Sequence, residues 1–154
     1  MIDDLDRIMA VMEAAFEPCW GEAWTRRQVG DLLTLPSTHY RLVGADGLPS
    51  AKDRDAAGFI LTRYAVDEEE LLLVAVMPHL RGRGIGTALL KLCKDDARRR
   101  GARRVFLEMR HNNPAVSVYL ANGFLPLGRR SDYYRLSDGS RLDAITFGCE
   151  LAFG

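Results

Sequence analysis

The stretch LRGRGIGTALL, residues 80–90, sets Gly82, Gly84 and Gly86 at alternate positions and then turns into helix formers. Glycine weakens a helix, so its use here points to a backbone that must approach a partner closely or take a left-handed conformation. A glycine-rich turn that opens a helix presents free N–H groups at the positive end of the helix dipole, and such a site binds phosphate. The amides of Arg83, Gly84 and Gly86 would reach phosphate oxygens, with the Thr87 hydroxyl as an added donor. Two familiar phosphate loops are excluded. A Walker loop needs lysine before its hydroxyl residue, where this chain has Gly86, and the dinucleotide fingerprint needs a GxGxxG spacing that is absent. Read without context, the same turn is a tight connection that requires small residues. A second candidate is Glu108, in the strand-like RVFLEMR of residues 104–110. Val105, Leu107 and Met109 share one face of that strand, which leaves Glu108 and Phe106 on the other. An acid set among apolar strand residues suits a general base; its structural alternative is a salt bridge to Arg110 or Arg104.

The elements that must position these residues alternate. A first helix in DDLDRIMAVMEAAF sets Leu5, Ile8, Met9, Met12 and Phe16 on one face, and Thr25 with Gln28 stand in capping-box spacing at the start of a second. HYRLVGA and AAGFILTRYAV read as a hairpin joined by a loose polar loop. ELLLVAV is a near-continuous apolar run closed by Met77-Pro78, the pattern of a strand buried on both faces. The glycine turn leads into a helix with Ile85, Ala88, Leu89, Leu92, Cys93 and Ala97 inward and Gly101 as its left-handed terminator. Strand RVFLEMR follows. Next comes a short helix with Asn113 as N-cap, Pro114 at its first position and Gly123 past its end. Two further strands, FLPLGRR and RLDAITFGCEL, flank the Tyr133/Tyr134 segment. The central strand–helix–strand unit predicts two parallel strands with a right-handed crossover.

Composition bounds the rest. The 154 residues suit a single domain, 1–154, with a real core. Lys+Arg and Asp+Glu balance at 21 each, which gives no reason to expect nucleic acid or a membrane as partner. The arginine clusters at 81–83 and 98–104 read as solvated faces, the first excepted. Cys19, Cys93 and Cys149 show no CxxC spacing, and His39, His79 and His111 no HxxH pairing, so no metal or disulfide framework is indicated and a reducing cytoplasm is expected. Cys93 and Cys149 fall on apolar phases and read as core. The acidic start MIDDLDRIM is neither a signal peptide nor an anchor, and no run approaches the length of a membrane span.

Arg81-x-x-Gly84-x-Gly86, preceded by LLLVAVMP and followed by TALL, resembles the [RQ]-x-x-G-x-[GA] pyrophosphate loop of the GCN5-related N-acetyltransferases. VFLEMRHNNPAVSVYLANGF is similar to that family's second conserved block. Within the family the likeness is to the bacterial ribosomal-protein-alanine N-acetyltransferases, through DEEELLLVAV, LEMR, EAWT and RRSDYYRLSDGSRLDAI, and it spans nearly the whole chain. Two departures stand out. The loop after Glu108 is one residue short, with His-Asn-Asn where Ala-Ser-Asn is expected, and the hairpin loop at residues 45–56 is long.

The resemblance implies an α/β (α+β) fold. It would be a single domain built on a mixed central sheet, with helices on both faces and a splayed parallel strand pair at the cofactor site. It implies acetyl-CoA as co-substrate, no metal, direct transfer to a primary amine in a ternary complex, and a monomer or weak dimer. The family's cofactor residues map to Val74, Ala75 and Val76 along the pantetheine arm, Arg81, Gly82, Arg83, Gly84, Ile85, Gly86 and Thr87 at the pyrophosphate, and a contacting asparagine. Counting back from Tyr119 makes that asparagine Asn112; a gap placed elsewhere makes it Asn113. Tyr119 is the thiolate's proton donor on this reading, Glu108 the base, and the Val76 amide the donor to the thioester carbonyl. The implied substrate is the N-terminal alanine of a small-subunit ribosomal protein. Asp67, Glu68 and Glu69 would attract a basic second residue, or form a solvated turn, and Tyr133 and Tyr134 would clamp the peptide backbone. The competing readings are a small-molecule amine acetyltransferase, an acyl-CoA-binding module without turnover, and a nucleotide phosphate-binding domain, the last disfavoured by the missing lysine.

Overall fold

In a computed structural model, which describes residues 3–16, 23–50 and 55–151, the chain builds one mixed sheet between two pairs of helices. Cys19 and residues 51–54 of the long hairpin loop lie outside the described residues. The strands are β1 (Thr38–Val43), β2 (Gly58–Ala65), β3 (Glu68–Val76), β4 (Arg104–Arg110), β5 (Leu125–Arg135) and β6 (Arg141–Glu150), in sheet order β1-β2-β3-β4-β6-β5. Every neighbouring pair is antiparallel except β3 and β4. Those two run parallel, joined by α3 (Ile85–Arg99), as the strand–helix–strand reading predicts.

On one face, α1 (Asp4–Ala15) and α2 (Arg26–Leu33) pack Ile8, Met12 and Val29 against Phe59, Leu61 and Leu73. Asp3 caps α1 through a 2.7 Å bond from the Asp6 amide, and α2 begins with the expected capping box of Thr25 and Gln28. On the other face, α3 and α4 (Val116–Ala121) cover Val105, Leu107, Met109 and Phe147. Cys93 and Cys149 are buried in this layer, and burial pushes the Cys93 thiol up to about 12, with Glu69 adding to the effect. Gly101 ends α3 with φ +90°, where only glycine is free of a Cβ penalty.

Three expectations are corrected. β3 does not have two equally buried faces: residues alternate between buried and half-buried, and the half-buried Val74 and Val76 border a cavity. α4 begins at Val116 and not at Pro114. The Asn113 side chain instead closes a tight turn one step earlier, accepting from the Ala115 amide at 2.9 Å. Tyr133 and Tyr134 belong to β5 itself, beyond a bulge at which Asp132 takes φ +54°.

The arginine cluster at the rear of α3 is neutralised locally. Arg98 pairs with Asp95, Arg99 with Asp96, Arg100 with Glu69, Arg103 with Asp67 and Arg104 with Glu150. Asp96 also takes a bidentate pair of bonds from Arg41 of β1, at 2.7 and 2.9 Å. Hydrogen bonding from Arg41, opposed by burial, holds the Asp96 carboxyl below the usual carboxylate range. A carboxyl lowered in the folded state contributes stability that is fully present above about pH 4 and is lost as pH falls through the lowered value. Arg41 is 38% exposed, so Arg41→Leu should cost only about 1 kcal/mol near neutral pH. Urea unfolding should show the gap to wild type closing as pH falls through the lowered Asp96 value and the carboxyl takes up its proton. A gap that does not change with pH would remove Asp96 as its source.

Candidate active site

β3 and β4 hold together over three residue pairs only, Glu68–Glu70 with Arg104–Phe106. Beyond Glu70 they part, although β3 runs on to Val76 and β4 to Arg110. The Met77 N–H donates to the Ala57 carbonyl of the β2 side at 2.8 Å. By the alternation of an antiparallel strand, the backbone groups of Val74 and Val76 therefore point away from β2 and into this gap. The predicted splayed pair is present, with polar backbone directed into it.

The glycine turn follows a single 3₁₀ turn at Pro78–Leu80. Gly82 and Gly84 take φ +79° and +81°, and Gly84 is the N-cap of α3 with no side chain to cap it. The first intrahelical bond runs from the Ala88 amide to the Gly84 carbonyl at 3.0 Å, so the amides of Ile85, Gly86 and Thr87 are left to a ligand. A Cβ added at Gly82 or Gly84 would meet nothing within 4 Å, and one at Gly86 only Val118 Cγ1 at 4.0 Å. The turn is thus an open cradle, bounded by α4.

A cavity of about 470 Å³ joins these parts. Val74, Ala75 and Val76 form one wall, and Arg81, Gly82, Gly84, Ile85, Gly86 and Thr87 the next. Asn113, Pro114, Ala115, Val118 and Tyr119 close the α4 side, and Ala15, Phe16, Leu80 and Leu90 complete it. Tyr119 is 6% exposed, its ring edge-on to Phe124 at 5.6 Å. A mostly apolar channel ending at free helix amides suits a long thiol arm that carries a pyrophosphate, so the residues present fit acetyl-CoA.

Two of the mapped residues fall outside this lining. The Arg83 side chain is exposed to solvent. Asn112 is exposed and accepts from Arg110 Nη1 at 2.9 Å, while Asn113 is the asparagine at the cavity. The shortened loop explains the slip: counting from Glu108, and not from Tyr119, reaches the residue that faces inward. Several lining residues were not anticipated. Ala115 and Val118 could have been found at helical spacing, since Ala115 stands four residues before Tyr119 and three before Val118. Ala15 and Phe16 come from a distant segment and left no local signal, whereas Leu90 stands one helical turn after Gly86 on α3.

Glu108 lies on the opposite face of β4 from Leu107 and Met109, as its strand phase predicts. Its side chain is 23% exposed, and Oε1 is enclosed without a hydrogen bond. Arg130 Nε stands 3.6 Å from Oε1, a partner not anticipated from the sequence. Arg104 is engaged with Glu150, and Arg110 Nη1 donates to Asn112 Oδ1. The Arg130 guanidinium lies 5.2 Å from the centre of the Tyr133 ring, which meets Tyr134 edge-on. The Tyr134 hydroxyl donates to the Glu108 carbonyl at 3.4 Å. Glu108, Tyr133 and Tyr134 are therefore brought together, and Arg130 joins them.

Asp67, Glu68 and Glu69 are not brought to this place. They sit at the closed end of the strand pair, about 25 Å from Val76 at the usual strand rise. Asp67 is in the β2–β3 turn, with φ +60°, near Arg103. Glu69 is 0% exposed and bonded to Thr62 and Arg100, so it cannot meet a peptide. The expectation that this run attracts a basic second residue of a peptide is not supported by its position.

Residues 6–124 match the model of the Acetyltransferase (GNAT) family, and the chain belongs to that family. The chain is therefore an N-acetyltransferase by class. The crystal structure of the ribosomal-protein-S18-alanine N-acetyltransferase from Escherichia coli superposes with a TM-score of 0.80 at 26% identity, covering 98% of this chain and 90% of that one. In sequence, the [ribosomal protein bS18]-alanine N-acetyltransferase of Escherichia coli (strain K12) is 38% identical over 90 residues, 58% of this chain and 60% of that enzyme. The streptothricin acetyltransferase of Streptomyces lavendulae is 38% identical over 112 residues, 70% of this chain and 56% of that enzyme. Among the described residues no helix is long and apolar enough to cross a membrane.

Proposed function

We propose that this chain, as a single domain over residues 1–154, acetylates the N-terminal α-amine of a protein, the alanine of a small-subunit ribosomal protein, in the cytoplasm. The observation that carries the reading is the Glu108 carboxylate. Its Oε1 is enclosed without a hydrogen bond, and it stands among Arg130, Tyr133 and Tyr134 on the side of β4 away from the cavity. Donor and acceptor would thus enter from opposite faces and meet in the strand gap, as direct transfer requires.

Acetyl-CoA, when bound, supplies an activated acetyl thioester. The amides of Gly84, Ile85, Gly86 and Thr87 hold its pyrophosphate, with Gly82, Arg81 and Asn113 beside them, while Val74 and Ala75 line its arm. The Val76 amide points into the gap and serves as donor to the carbonyl oxygen as charge grows there. Glu108 takes the proton from the incoming ammonium, directly or through one water. Tyr119 gives a proton to the departing sulfur. Tyr133 and Tyr134 present aromatic and hydroxyl groups to the acceptor backbone, and Tyr134 steadies the strand that carries the base.

The test is a comparison of ribosomal proteins, by intact-mass spectrometry, from cells with and without the chain. Loss of one acetyl group from a single N-terminal alanine supports the reading, and an unchanged set overturns it. A second reading is favoured by the streptothricin relative: a small-molecule amine as acceptor. Thiol-release assays on alanyl hexapeptides, polyamines and streptothricin-type amines separate the two, since turnover on the amines alone selects the second. No thiol release on any acceptor would leave an acyl-CoA-binding module.

A further inference from the structure

A fully buried carboxylate outside the site requires an explanation. Replacing a buried ion pair by well-packed apolar residues is often neutral or stabilising, so the pair is not explained by stability; its best-attested use is to fix register. Glu69 is the middle residue of the three that pair β3 with β4, and it is 0% exposed. Its Oε1 accepts from Thr62 Oγ1 of β2 at 2.6 Å and from Arg100 Nη2 at 2.6 Å, and its Oε2 accepts from Arg100 Nε at 3.3 Å. Arg100 is the C-cap residue of α3, and its side chain is 24% exposed. One side chain thus joins β2, β3 and the rear of α3 at the closed end of the strand gap.

We propose that Glu69 and Arg100 are positioning residues, a pin that sets where the front of α3 stands relative to β3. The inference rests on the cofactor site proposed above. A parallel ladder of three pairs is too short to fix an angle between strands that then run apart. The helix behind them is 15 residues, about 22 Å, so a tilt of a few degrees at its rear moves the Ile85–Thr87 amides by about 1 Å. Shifts of that size at a binding cradle are costly. The pin therefore acts on acetyl-CoA, whose pyrophosphate would meet α3 and whose thioester arm would meet β3, and not on the acceptor, which would meet the other face of β4.

The test is the double variant Glu69→Leu/Arg100→Met, which removes both charges together and leaves neither buried alone. Its melting temperature is expected close to wild type. Its Kd for acetyl-CoA by calorimetry, and KM for acetyl-CoA in thiol release, should rise about tenfold, with kcat at saturating acetyl-CoA within about threefold and acceptor KM unchanged. A merely structural pair would change the melting temperature and leave the Kd of the folded protein alone. Acetyl-CoA affinity within twofold of wild type in a folded double variant overturns the proposal. If the double variant does not fold, Thr62→Val decides, since it deletes one bond to Glu69 at near-equal volume. A roughly two- to fivefold weaker affinity supports the pin, and an unchanged one overturns it. Gly86→Val run in parallel separates the failures. If it lowers affinity while the pin variants do not, only this inference falls; if it too has no effect, the cofactor site is misassigned and the inference falls with it.

Discussion

Gly86→Val should give a folded protein whose acetyl-CoA binding is too weak for calorimetry to register. Gly86 sits in the first turn of α3 with ordinary helical backbone, and valine is no worse than glycine in a helix. The loss comes from volume. A Cβ there already stands 4.0 Å from Val118 Cγ1, so two further methyl groups bridge the space between α3 and α4 and fill the cradle. Gly84→Val should have the same result for another reason. With φ +81° and nothing within 4 Å of a built Cβ, the penalty is in the backbone, about 1–2 kcal/mol, and it distorts the turn itself. Retained affinity in a folded Gly86→Val protein would refute the phosphate cradle.

Removing either proton carrier is the second large effect. Tyr119→Phe keeps the ring and its edge-on contact with Phe124, so cofactor affinity should hold while kcat drops on the order of 10²-fold, the scale of one general acid. Glu108→Gln should lose a similar factor near neutral pH. Because an α-amino group titrates at about 7.7–8.0, the Glu108→Gln enzyme should recover part of its rate as pH rises and free amine forms without help. Parallel pH–rate profiles for wild type and Glu108→Gln would exclude Glu108 as the base. Measuring kcat and acetyl-CoA Kd on the same preparations keeps binding and chemistry separate.

The parts of this molecule that follow from neighbours in the chain were readable from the sequence. The capping box at Thr25, the left-handed Gly101, the strand phase of Glu108 and the turn at Gly82–Gly86 each depend on a few adjacent residues. What could not be read depends on partners far along the chain. Glu69 stands in an acidic run that looks solvated, and only the arrival of Arg100 and Thr62 makes it core. Arg130 reaches Glu108 across the intervening β6, an order of strands that no local pattern specifies. The Asn112/Asn113 choice turned on a single missing residue, which changes where the count must start.

The outermost strand β5 has one further consequence. An eleven-residue strand at a sheet border, with Leu125 and Leu127 63% and 52% exposed, is the kind of segment on which a foreign chain can polymerise. This one is blunted along its length. Pro126 lacks a donor, two register shifts break its line, Asp132 twists it out of plane, and Arg129, Arg130 and Arg135 add like charge. The irregular backbone that brings Arg130 and Tyr133 toward the base therefore also makes this edge a poor template for another strand.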